Sequence, residues 1–171
     1  MREAVEAARL SGDSVGGVIE CAAAHVRPGV GSPFFGSLES VASQLLFSIP
    51  AVKAVEFGDG MAIAALRGSQ ANDPMRMEGG RVALTSNHNG GVTGGITNGA
   101  PVVVRVAVKP TPSIASRQQT VDVRAGENTE LAVTGRHDPC IVPRAVVVVE
   151  SALAVALCEL MMDDAAHNAL K

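Results

Sequence analysis

Pro101 to Lys109 reads PVVVRVAVK, and the fold is decided there. In an extended chain Val102, Val104, Val106 and Val108 fall on one side, and Val103, Arg105, Ala107 and Lys109 on the other. Strict alternation of this kind predicts a strand with one face in the core. Downstream, RQQTVDVRAG and ENTELAVTG read as a hairpin around Gly126. Pro143 then sits where the first turn of a helix tolerates proline, and a long helix is expected to run to about Asn168, although its Val146–Val149 run is also compatible with a strand.

Upstream, Ala4, Ala7, Ala8 and Leu10 recur at helical spacing immediately after Met1, with no leader and no cap. GDSVGGVIECAAAHV reads as a turn leading into a strand. In SPFFGSLESVASQLLFSIP a helix is expected from Ser37 to Ser48, with Leu38, Val41, Ala42, Leu45 and Leu46 on one face and Pro50 ending it. VKAVEFG and MAIAALRG read as two short strands separated by the Gly58-Asp59-Gly60 turn. Residues 68–99 are polar, glycine-rich and without periodicity, which reads as a long functional or mobile loop. The order of elements predicts one α+β domain over residues 1–171, a mainly antiparallel sheet packed under helices.

Composition narrows the functional classes. The chain has 171 residues, of which 47% are apolar, with four Phe and neither Trp nor Tyr, so the core must be aliphatic. A chain of this length buries roughly 70% of its unfolded surface. Its net charge of −3, without a basic patch or stacking rings, argues against nucleic-acid reading. Cys21, Cys140 and Cys158 have neither metal spacing nor a disulfide framework, which points to a reducing cytoplasm. The longest apolar run, Ala145 to Leu157, is broken by Glu150 and is shorter than the ~20 residues of a membrane span. A soluble protein away from membranes is expected.

Three stretches carry candidate chemistry. In GGVTGGITNG, Gly90 to Gly99, the glycines precede a strand and lack both the Walker Lys-Ser/Thr and the strand-before-helix setting of a dinucleotide loop. They can bring backbone N–H groups against an anion or a flat ring, and they equally suit a plain turn. KPTPS combines Lys109, Thr111 and Ser113 with the rigid Pro110 and Pro112. Such a rim suits a phosphate or a heteroaromatic edge, or merely a strand exit. GRHDPC supplies the planar fork of Arg136, the titratable His137 and Asp138, whose backbone Pro139 biases toward an extended conformation. Asp138 is the candidate proton-handling carboxylate; an Arg–Asp salt bridge pinning the loop is the plainer reading. Cys140 reads as a small buried hydrophobe. His25, His88 and His167 lack ligand spacing, and no metal site is expected.

Taken in order, GDSVGG, SIPAVKAVEFGDG, GSQANDP, SNHNGGVTGGITNG, KPTPS and GRHDPC…PRA…VE resemble the chorismate synthases across residues 10 to 160. The resemblance implies half of a β-α-α-β sandwich. It also implies an activity: anti-1,4-elimination of phosphate from 5-enolpyruvylshikimate 3-phosphate, with loss of a ring proton, to give chorismate for aromatic amino acid biosynthesis. Such enzymes are lyases that require reduced FMN without net oxidation, and are typically homotetramers. Matched to the family motifs, Pro50 and Ala51 touch the flavin ring, Gly94 is the glycine of the GGI turn, and Lys109, Pro110, Thr111, Pro112 and Ser113 form the cofactor rim. Arg136 matches the arginine near flavin and substrate phosphate, and Asp138 an aspartate proposed to assist deprotonation. Ala54 stands where glycine is common, and VVVVES lacks a proline often found there. The family's N-terminal half, with two acid/base histidines, several arginines and a serine, has no counterpart in this sequence. Hence this chain alone is expected to be incomplete, with apolar helix surface left exposed, and any NADPH site for flavin reduction to lie outside it. The alternative is a non-catalytic flavin-binding or assembly module on the same fold.

Overall fold

The computed structural model describes residues 1–135 and 137–169. Its helices are α1 (Arg2–Leu10), α2 (Leu38–Ser48), α3 (Gly68–Ala71) and α4 (Val142–Ala169). Its strands are β1 (Gly17–Ala23), β2 (Val52–Phe57), β3 (Met75–Glu78), β4 (Arg81–Leu84), β5 (Val92–Thr93), β6 (Ile96–Thr97), β7 (Val102–Val108), β8 (Gln118–Asp122) and β9 (Glu127–Leu131).

The alternating valines form β7, the centre of a three-stranded antiparallel sheet with β1 and β2 on either side. Val102, Val104, Val106 and Val108 are all buried, and Ile19 and Val55 flank Val106 in register. Each buried valine side chain contributes up to about 1.5–3 kcal/mol relative to an exposed one. On the opposite face Arg105 lies in register between Glu20 and Glu56, a charged row on an open surface.

One helix layer covers the valine face. α2 begins at Ser37, whose Oγ accepts the Ser40 N–H at 3.1 Å, and buries Leu38, Ala42 and Leu46. It stops at Ser48 because the residue before Pro50 avoids helical backbone. α4 carries Pro143 in its first turn and buries Val142, Val149, Leu153, Ala156, Leu157 and Leu160 against α2 and β1. The Val146–Val149 run is therefore helical. Elsewhere on α4, Val146, Val147, Val148, Val155 and Met162 are exposed, as expected for half of a sandwich. The helix outlasts the apolar run seen in the sequence: by length and composition its 28 residues are apolar enough to cross a membrane. One stripe of it is committed to the core.

Two expectations are corrected. MAIAALRG is not a strand, because Gly60–Ala65 turns as a 3-10 helix. Gly60 takes φ +55, and the Glu56 carboxylate accepts the Met61 N–H at 3.2 Å, folding the chain back before it can extend. Nor is the 68–99 segment featureless. It holds α3 and a β3–β4 hairpin closed by Gly79-Gly80, both at positive φ, the requirement of a two-residue hairpin turn. It also holds a polar knot: Asp73 accepts from Ser86 Oγ (2.7 Å), His88 N (2.7 Å), Asn89 N (3.0 Å) and Asn89 Nδ2 (2.8 Å). Burial pushes the Asp73 carboxyl up, but these hydrogen bonds outweigh it and hold it below the usual range. His88 Nδ1 reaches Asp59 Oδ2 at 2.6 Å, fastening the knot to the turn after β2. Gly58 lies so close that an added Cβ would overlap the His88 carbonyl oxygen.

Candidate functional site

The end of the sheet where β7 finishes and β1 and β2 begin gathers most of the residues singled out in the sequence. Pro50 and Ala51 form the corner between α2 and β2, with Ala51 at φ +73. The Lys109 N–H donates to Ala51 O at 2.8 Å, so the Pro50–Ala51 corner and the Lys109–Ser113 stretch are adjacent. Lys109, Pro110 and Pro112 are exposed, while Thr111 and Ser113 are half-buried. Ser14 Oγ donates to Thr111 O at 2.6 Å and fixes the rim from the β1 side. Thr111 Oγ1 is buried without a hydrogen-bond partner. A buried hydroxyl left unpaired costs free energy, so this atom is suited to a ligand's polar group.

The GRHDPC loop reaches the same end. The Val15 N–H donates to Pro139 O at 2.8 Å, and the Val133 N–H donates to Ile114 O at 3.0 Å. Between the loop, the rim and the α1–β1 turn lies a cleft of about 400 Å³. Ser113, His137 and Asp138 line it from one side, and Arg9, Asp13 and Ser14 from the other. Asp138 forms an ion pair with Arg144 from the first turn of α4. Both partners are partly exposed, so the pair contributes about 0–1 kcal/mol to stability. An Arg–Asp pair was foreseen in this loop, but Arg136, its expected member, lies outside the described residues; the partner found is Arg144.

Of the rim only Ser113 lines this cleft; Pro50, Ala51, Lys109 and Thr111 do not, and Gly94 lies apart from this end of the sheet altogether. It is exposed in the β5–β6 turn, whose Gly95 O accepts the Leu38 N–H at 3.0 Å at the start of α2. Pro50 and Ala51 follow the other end of that 11-residue helix, roughly 16 Å away at 1.5 Å per residue. Within this chain Gly94 and the Lys109 rim do not share a concavity. Cys140 packs half-buried against the core, as a small hydrophobe would.

The α1–β1 wall was missed as a wall. GDSVGG was visible as a motif but read only as a turn. The close approach that explains Gly16 was the missing signal: a Cβ there would overlap Val108 O and stand 3.0 Å from Pro110 Cδ. Glycine thus lets the α1–β1 turn lie directly on the rim. Arg9, held by Glu6 through 2.6 and 2.9 Å hydrogen bonds, gave no sign of facing the site, because nothing local to α1 points to it.

Comparison with known proteins gives a consistent result. The family model for chorismate synthase matches residues 1–162. The chorismate synthase of Korarchaeum cryptofilum is 52% identical over 162 residues, covering 95% of this chain and 45% of that protein. That of Opitutus terrae is 52% identical over 167 residues, covering 98% and 46%. A crystal structure of a chorismate synthase superposes with a TM-score of 0.76 at 33% identity, covering 95% of this chain and 42% of that one. The chain therefore spans less than half the length of the relatives it matches.

Proposed function

This chain belongs to the chorismate synthase family, a family of lyases in aromatic biosynthesis, and on that premise we propose that it supplies one wall of a reduced-FMN site for anti-1,4-elimination of phosphate from 5-enolpyruvylshikimate 3-phosphate. The observation that carries the reading is the convergence of the Pro50–Ala51 corner, the Lys109–Ser113 rim and the Asp138 loop at one sheet end. The orphaned Thr111 hydroxyl beneath the rim fits a polar ligand edge.

In this reading Pro50 and Ala51 offer a rigid backbone edge to a planar ring. Lys109 offers a cation and Thr111 a hydroxyl to the anionic groups of cofactor or substrate. Asp138, oriented by Arg144, takes up or passes on the ring proton at a carboxylate oxygen. When bound, reduced FMN supplies electron density that favours departure of the phosphate. Such a reaction requires charge stabilisation and proton transfer to be placed together. The groups of the family's other half are therefore needed as well, in a cytoplasmic homotetramer with NADPH as the reductant of the flavin.

The test is complementation. The 171-residue chain, given reduced FMN and 5-enolpyruvylshikimate 3-phosphate, should form no chorismate alone and should form it when mixed with a polypeptide of the family's N-terminal half. Robust turnover by the isolated chain would contradict the division of labour. Flavin binding without turnover in the mixture would favour the non-catalytic module.

A further inference from the structure

We propose that the β3–β4 ribbon is an interaction surface for a second copy of this chain: β3 pairs antiparallel with the second copy's β3 about a two-fold axis at Met77, joining the two ribbons into one four-stranded sheet. This goes beyond the reading above, which leaves the contacts between copies unassigned, and does not rest on flavin binding.

The ribbon is apolar on one face and uncovered. In register Met75 faces Leu84 and Met77 faces Val82, while Arg76 faces Ala83 and Glu78 faces Arg81 on the opposite side. Met75, Met77 and Val82 are exposed, and among the described residues β3 and β4 make their substantial contacts with one another. A two-stranded ribbon is marginal in water, whereas three or more strands sharing an apolar face are stable. Its base is already rigid. The Asp73 carboxylate accepts from Ser86, His88 and Asn89, and the Thr85 N–H donates to Pro74 O at 2.9 Å. Little ordering of the arm is left for association to impose.

The residues of β3 select the partner. The Pro74–Thr85 bond sets the alternation of the ladder, so Arg76 and Glu78 bond inward to β4 while Met75 and Met77 turn their N–H and C=O groups to the free edge. An antiparallel copy centred on Met77 exchanges both hydrogen bonds at that residue and brings the tip of each ribbon to the base of the other. Arg76 then stands opposite the second copy's Glu78, and Glu78 opposite the second copy's Arg76, in the closer, non-hydrogen-bonded pairs. Within one chain these two side chains already pair along the strand. Across the edge their Cβ atoms come about 4.5–5.5 Å apart, nearer than two residues separated by about 3.3 Å of rise each along a strand. Each Glu78 ends between two arginines, its own Arg81 on β4 and the second copy's Arg76. On the other face Val82, Met77 and their two copies form one apolar row. The outer edge of β4 offers no such match: Arg81 is its only charge, and it lies across a cleft of about 500 Å³ from Gly99, Ala100 and Pro101.

Charge exchange on the full chain decides this, in a parent carrying V147E and V155E to suppress association through α4. Sedimentation equilibrium should show the parent dimerising. R76E and E78R each set like charges against one another in both cross-strand pairs, and each should weaken dimerisation about tenfold. An equimolar mixture of R76E and E78R chains places every introduced charge opposite its complement, as R76E/E78R in one chain also does. Both should regain the affinity of the parent, and recovery in the mixture shows that neither single variant is misfolded. A parent that stays monomeric at every concentration, a dimer indifferent to R76E and E78R, or a mixture no tighter than its components overturns the proposal. No flavin enters these measurements, so their failure leaves the flavin reading to its own test.

Discussion

Gly16→Ala tests whether the site is built by the contact between the α1–β1 turn and the rim. The position needs no special backbone angle, so the whole effect is spatial. Its Cβ would overlap Val108 O and lie 3.0 Å from Pro110 Cδ and 3.1 Å from Pro110 N, where ordinary contact begins at 3.4 Å. Two of these three atoms are backbone, and the third belongs to a proline ring, so none can swing away. The turn must lift off the rim by several tenths of an ångström. Overpacking of this kind typically costs about 1–3 kcal/mol. Without the clash, Gly→Ala would stabilise by about 0.4–1 kcal/mol through the unfolded chain, so the sign of the change is diagnostic. At about 2 kcal/mol the melting temperature should fall about 4–8 °C for a chain of this size. Neighbouring Gly17 is the control: its Cβ would meet only the Val142 side chain at 3.2 Å, and G17A should change stability far less. In the complemented enzyme, displacement of Lys109–Ser113 by a sizeable part of an ångström should lower turnover by up to about 100-fold. A G16A chain that melts at or above wild type, with full activity on complementation, would refute the reasoning.

Asp138→Asn keeps the shape but removes the proposed proton acceptor. Complemented activity should fall about 10²–10⁴-fold while the melting temperature moves little, because the lost pair with Arg144 is half-exposed. Asp73→Ala leaves the His88 and Asn89 N–H groups without their acceptor, and hydrogen exchange over residues 86–90 should report local opening easier by about 1–3 kcal/mol. The Asp73 carboxyl is held below its ordinary range, so its stabilisation is fully present above the unfolded aspartate pKa and is lost as pH falls through the folded one. Exchange protection in wild type should therefore fade on acidification, and that component should be absent in D73N. The exposed valines of α4 should drive self-association by light scattering, which Val147→Glu combined with Val155→Glu should reduce; a clean wild-type monomer would count against an unpartnered face.

Where one physical signal dominates, the sequence was readable. β7 follows from alternation alone, and α2 from five apolar residues at helical spacing between a serine cap and a proline. The Gly60–Ala65 turn was not readable, because the short apolar run MAIAA fits a buried strand as well as a helical turn, while a glycine at positive φ and the Glu56 carboxylate decide the backbone. The β3–β4 hairpin was hidden for a different reason: its strands are four residues long and largely exposed, so the alternation of MRME is too short to stand out from the polar segment around it. At the site, Asp138 and the KPTPS rim were legible as chemistry-bearing residue types. The α1–β1 wall was not, since its contribution is a close approach between segments about 90 residues apart. Gly94 and Lys109 lie toward opposite ends of α2, a separation that spacing along the chain does not reveal.

The two incomplete features of the chain are connected. α4 buries one stripe and exposes valines at 146–148, and a helix apolar on both sides is one made to be covered on both. Arg144, which holds Asp138, sits two residues before that exposed run, a rise of about 3 Å along the helix axis. A layer laid over Val146–Val148 therefore comes within reach of the Asp138–Arg144 pair. Two charges 4 Å apart attract by about 1 kcal/mol in water and about 4 kcal/mol at the effective dielectric near a protein surface. Covering α4 would strengthen the hold on the carboxylate at the moment the pocket gains its second wall. On the proposed reading, completion of the core and preparation of the Asp138 carboxylate become one event, because the loop carrying Asp138 runs directly into the helix that the fold leaves half-covered.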